Sequence, residues 1–205
     1  MKKQAIIIVC LVTVLLPLCT MAQDRDRVWS FGPEIGINFS KYGNDASESD
    51  FRSGILLGLG LTYSIENTHA FTAKVLYAQK GAKFGDSKQS LKYVEVPVIA
   101  RVFFNREGTF RPNLFIGPSF GFLTGVSTKE GSNSSVEVKD FNKIFNTFDF
   151  GVTGGLGFNW LIVNETRVII DARYTHGLSD ITKASGTVNN QAISLSAGLT
   201  FGIGN

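Results

Sequence analysis

Beyond residue 22 this chain of 205 residues contains no cysteine; its only two, Cys10 and Cys19, both lie near the N-terminus. The remainder therefore cannot rely on disulfides or build a thiolate metal centre. Histidine is limited to His69 and His176, too few for an ordinary metal site. Charge is sparse at 18 %, and the formal net charge of +3 falls to +1 once Lys2 and Lys3 are removed. Such a balance offers no footprint for nucleic acid. After residue 22 no apolar run is long enough for a helix to cross a bilayer. No cofactor is expected.

What the chain does have is glycine, 22 residues, and phenylalanine, 17, against two methionines. That composition favours strands and tight turns over helices. Residues 1–22 have the anatomy of a cleavable export signal: Lys2 and Lys3, an apolar stretch from Ala5 to Leu18, and the small residues Thr20 and Ala22 before a cut after Ala22. Leu18 in front of Cys19 argues against lipid attachment, where a small residue is usual. Residues 23–205 are then one domain.

Within that domain the hydropathy alternates with period two, as in tilted membrane strands. From Trp29 to Phe39 the odd positions are Trp29, Phe31, Pro33, Ile35, Ile37 and Phe39, while the even ones are small or polar. Similar segments cover 51–65, 71–80, 93–102, 110–123, 145–161, 167–176 and 191–203. Their number is eight. Connections at 41–50, 82–90, 124–143 and 177–190 are long and polar, and those at 66–69, 105–109 and 163–166 are short.

Long loops alternating with short turns point to an all-β fold, an eight-stranded antiparallel up-and-down transmembrane β-barrel of a bacterial outer membrane. In hydrocarbon a β structure must close on itself to satisfy its backbone. The apolar face then meets lipid, and glycine and serine suit a narrow lumen. Aromatics near strand ends, among them Trp29, Tyr63, Phe158, Trp160 and Phe201, are placed for interfacial girdles. A soluble lipocalin-like ligand barrel is the alternative on the same strand count. Pro33, Pro97 and Pro118 oppose the picture, because a closed barrel has no edge strand, and bulges or strand ends are expected to absorb them.

The charges expected inside are Glu34, Arg52, Lys74, Lys80, Glu95, Arg101, Asp149, Asp171 and Arg173, nearly balanced in sign. In so narrow a barrel they should form a structural ion-pair lattice that fills the lumen, with Lys74 meeting Glu95 across neighbouring strands. No catalytic or metal residue is assigned. His176, Ser179 and Asp180 have the types of a hydrolase trio but sit almost consecutively in a polar turn, with no oxyanion motif. Outer-membrane lipid and the barrel-insertion machinery are the expected partners, the latter through the Leu195, Ala197, Leu199, Phe201 alternation.

Several short stretches recur in order over nearly the whole processed chain: Tyr77-Ala78-Gln79-Lys80-Gly81-Ala82-Lys83, Tyr93-Val94-Glu95-Val96-Pro97, Gly117-Pro118, Phe148-Asp149-Phe150-Gly151, and Asp171-Ala172-Arg173-Tyr174 followed by Gly177-Leu178. In these the chain resembles the PorT-like family of small bacterial outer-membrane β-barrel proteins. The resemblance implies a non-catalytic barrel and, for the family's namesake, an accessory role in protein secretion, with secretion-system components as partners. A surface adhesion or binding barrel is the alternative role.

Overall fold

A computed structural model of the chain describes residues 27–46, 49–131 and 134–203. The expected export signal lies outside the described residues. Nine strands follow one another: β1 (Arg27–Asn44), β2 (Asp50–Ile65), β3 (His69–Phe84), β4 (Ser87–Phe103), β5 (Phe110–Glu130), β6 (Val136–Glu137), β7 (Phe148–Val163), β8 (Thr166–Gly177) and β9 (Val188–Ile203). All but β6 form one antiparallel sheet in which each pairs with its sequence neighbours, β1 pairs with β9, and β4 with β5, so the sheet closes. The two-residue β6 is an extra pairing on the far end of β5.

Alternation places the apolar side chains outside. Ile35 is 68 % exposed while its neighbour Glu34 is 5 % exposed, the reverse of a water-soluble barrel, which excludes the lipocalin-like alternative for this fold. Leu56, the exception to the alternation in its segment, points inward with Leu76 and helps fill the lumen. At the short-turn end aromatic rings meet across strands: Trp29 with Tyr63 at 4.8 Å, Phe31 with Phe201 at 5.9 Å and Phe110 with Phe158 at 5.4 Å. At the other end Phe120 meets Phe150 at 5.5 Å and Phe122 meets Phe148 at 5.6 Å. These are two girdles around an apolar band.

The three prolines are absorbed by gaps in the ladder, not by the expected bulges or strand ends. Pro33 pairs with Leu59 on β2, but the β1–β9 register skips it between Phe31 and Glu34. Pro97 pairs with Ser119 on β5 and is skipped on the β3 side. Pro118 pairs with Val152 on β7 and is skipped on the β4 side. A strand residue aims its N–H and C=O at the same neighbour, so a proline loses its bond on one side only. Gly117 lies in the gap opened by Pro118, where an added Cβ would collide with the Val98 carbonyl, so the strands approach too closely for any side chain.

One expected loop is largely strand. β3 and β4 continue to Phe84 and from Ser87, leaving a tight connection where the sequence suggested a loop over 82–90. Above the apolar band the outward positions become polar, as at Lys88 and Lys92, so the hydropathy signal ends while the backbone pairing goes on.

Candidate functional site

The lumen is organised in layers along its axis. Nearest the short turns, Arg111 and Arg167 stand at the rim of a cavity of about 360 Å³ that runs from Asn67, Asn164 and Glu165 down to Glu34, Lys74 and Arg101. Its floor is a charged cluster. Arg101 donates from Nη1 to Asp171 Oδ1 at 3.0 Å and from Nη2 to Oδ2 at 2.5 Å, and Lys74 donates to Asp171 Oδ2 at 3.0 Å and to Glu34. Arg101 also donates to Asn113 Oδ1 at 2.8 Å and lies over the Phe115 ring at 4.5 Å. Arg173 comes within 3.9 Å of Glu34.

Gly157 makes this cluster possible. A Cβ there would sit 2.6 Å from both Asn113 Oδ1 and Asp171 Oδ1 and 2.7 Å from Arg101 Nη1. Only a residue without a side chain leaves the axis to those three groups.

One layer up, Lys80 pairs with Glu95 at 2.8 Å and Ser119 donates to the same carboxylate at 2.7 Å. Above it Asp149 accepts from Asn190 Nδ2 at 2.7 Å and from Ser179 Oγ at 2.9 Å, and Asn190 also donates to the Tyr93 hydroxyl at 3.1 Å. The long-loop mouth is closed by an apolar cluster in which Phe145 and Ile181 cover Tyr42, Leu91, Tyr93, Leu123 and Val126.

Two sequence expectations are corrected. Lys74 does not meet Glu95: Leu76 is the residue opposite Glu95, and the Lys74 side chain extends across the barrel to β1 and β8 while Lys80 takes Glu95. In a barrel this narrow the opposite wall competes with the adjacent strand. Arg52 is outside the lattice. It is half-buried beside the β2–β3 register shift between Phe51 and Leu56, where its Nη1 donates to the Lys80 carbonyl at 3.2 Å. Asp149 is buried, but among the described residues its bonds are to neutral groups.

His176, Ser179 and Asp180 serve separate partners. His176 contacts the Tyr174 hydroxyl at 3.3 Å, Ser179 bonds Asp149 and the Phe150 amide, and Asp180 accepts from the Thr182 and Val188 amides. No group of three metal-ligating side chains is present among the described residues. Sequence reading missed Arg111 and Arg167, which stand at strand ends where inward and outward positions are hard to assign. It also missed the cap, because Phe145 reads in the sequence as the start of the sixth expected strand, β7, which begins only at Phe148.

Comparisons with known proteins agree with this architecture. The Neisserial surface protein A (NspA) superposes with a TM-score of 0.54 at 15 % identity, over 83 % of this chain and 95 % of that one. OprG of Pseudomonas aeruginosa gives 0.53 at 13 %, over 87 % and 96 %. A major outer membrane protein of Thermus thermophilus gives 0.53 at 9 %, over 85 % and 99 %. At these identities the likeness concerns the fold alone. No curated protein matches the chain significantly. The family model described as "Outer membrane protein beta-barrel domain" matches residues 21–183, and the chain thus belongs to that family of bacterial outer-membrane proteins.

Proposed function

We propose that this protein is a non-catalytic, sealed outer-membrane barrel that serves as a membrane-held element of an envelope assembly, accessory to protein secretion. The observation that carries this reading is the filled lumen. The Glu34–Lys74–Asp171–Arg101 cluster occupies its waist and the Phe145–Ile181 cap closes its far mouth, so the parts left to act on other molecules are the rims and the loops. The secretion role rests on the PorT-like resemblance of the motifs from Tyr77 to Leu178. Docking on secretion-system components follows from it, while export by residues 1–22 rests on their signal-like anatomy and recognition by the barrel-insertion machinery on the C-terminal alternation from Leu195 to Phe201.

The test is the secreted-protein profile of a strain lacking the gene, beside its parent and a complemented strain. Defined cargo proteins retained in the periplasm are the expected result; an unchanged profile removes the secretion role. A second reading, a surface binding barrel, is favoured by the strands that extend past the apolar band at the long-loop end. Loss of cell attachment on deleting residues 131–140, with normal secretion, would select it.

A further inference from the structure

The cavity at the short-turn end has a charge arrangement that the sealed lumen does not require. Its deeper cations, Lys74 and Arg101, are matched by Glu34 and Asp171. Arg111 and Arg167 have no such partner: among the described residues no carboxylate lies within ion-pair distance of either, although Glu165 lines the same mouth. Arg111 is only 6 % exposed, is held over the Phe103 ring at 4.2 Å, and donates to the carbonyls of Asn67 and Asn105. Those acceptors fix its direction without neutralising it. Nη1 of Arg167 is buried with no hydrogen-bond partner, and Arg167 lines the same cavity mouth as Arg111.

Two like charges held at one mouth repel, and a buried donor without an acceptor is costly. Both penalties disappear if an anion sits between them. Guanidinium is planar and forked, so each arginine can present two N–H donors to one oxyanion. The volume of about 360 Å³ falls within the range of small-ligand sites. Ser64 and Thr62 on β2, which also line the cavity, add hydroxyls that can donate to further oxygens. In barrels of this class the short turns face the periplasm, so the mouth opens to periplasmic solutes.

We propose that this vestibule binds an oxyanion, the phosphate or carboxylate group of a small periplasmic solute, between Arg111 and Arg167. The barrel then has a ligand site on its periplasmic face separate from any action of its extracellular loops.

The full chain, refolded in detergent micelles and shown to be folded by its heat-shifted gel mobility, is titrated calorimetrically with inorganic phosphate and, separately, with succinate. Saturable one-to-one binding of at least one probe is expected, weakened at least tenfold in Arg167→Gln and partly restored in Arg167→Lys. Phosphate binding alone identifies a phosphate site, and comparable succinate binding a general oxyanion site; each supports the proposal. Because Arg111 is buried and its replacement endangers folding, the rim variant Arg167→Gln decides. Absence of saturable binding of both probes to the unmodified chain, or affinity in Arg167→Gln within twofold of it, overturns the proposal.

Discussion

Asp171 on β8 and Arg101 on β4 form a two-point ion pair across the lumen, with N–O distances of 3.0 and 2.5 Å, and Lys74 from the opposite strand β3 completes it. All three side chains are buried. Replacing Asp171 by Asn leaves two buried cations with Glu34 as their remaining nearby carboxylate. The expected loss of stability is about 3–5 kcal/mol, from breaking a buried ion network on one side. Urea unfolding of the refolded barrel in lipid vesicles measures it, and a variant as stable as the parent would show that the cluster contributes nothing net.

Gly157 offers a second test with no change of charge. A methyl group there must displace Asn113, Asp171 or Arg101. Gly157→Ala should cost about 1–3 kcal/mol by overpacking. Gly85, where an added Cβ would meet nothing within 4 Å, is the control for general glycine effects, although its φ of +57 adds local strain. Equal losses at both sites would assign the effect to the backbone and not to the cluster.

The lumen is filled in series by the charged waist, the Lys80–Glu95 and Asp149–Asn190 layers above it, and the apolar cap. Replacing Glu34, Lys74, Arg101, Asp171 and Arg173 together by Ala removes the waist without leaving an unpaired member of the cluster, and deleting residues 139–145 removes much of the cap. Each change alone should leave planar bilayers without unitary conductance, because the remaining layers still fill the lumen. Steps through the unmodified chain would contradict a sealed barrel.

Phe145 anchors the loop segment over the long-loop mouth, packed with Ile181 in the apolar cap. Phe145→Ala should free that segment to proteases added to intact cells while the barrel keeps its heat-shifted mobility. The barrel is held by its closed backbone ladder, and the cap by side-chain burial that this change removes.

Glu137, on the short β6, accepts a hydrogen bond from Lys92 at 2.8 Å, and this contact holds its carboxyl below the ordinary glutamate range. The sign follows: a depressed carboxyl stabilises its folded position above the unfolded value and loses that contribution as pH falls through the lowered one. Protection of the Val136 and Glu137 amides, taken relative to their intrinsic exchange rates at each pH, should therefore fall in acid, and Glu137→Gln should remove that fall. Both groups are exposed to solvent, so added salt should weaken the contact as well.

The strand number and the inside-out sense of the barrel were legible because period two is imposed by lipid on every crossing. Phe31, Ile35, Ile37 and Phe39 alternate with Glu34, Asn38 and Ser40 in the sequence as they do around the wall. The extensions above the membrane were not legible. There the outward face is polar, so β3 and β4 continue through Lys83 and Lys88 with no contrast to mark them. The prolines misled for a related reason: a sequence shows that an N–H is missing but not which neighbour would have received it.

Sequence by itself determined that this chain closes as a lipid-facing barrel, since alternation and unmet backbone bonds in hydrocarbon leave no other spanning β structure. Only the tertiary structure decided which charges meet. Lys74 passes over Glu95 for Glu34 and Asp171, and Arg111 and Arg167 come to line one cavity, because partners across a narrow lumen are chosen by closure and register, which bring together residues as far apart in the chain as 74 and 171.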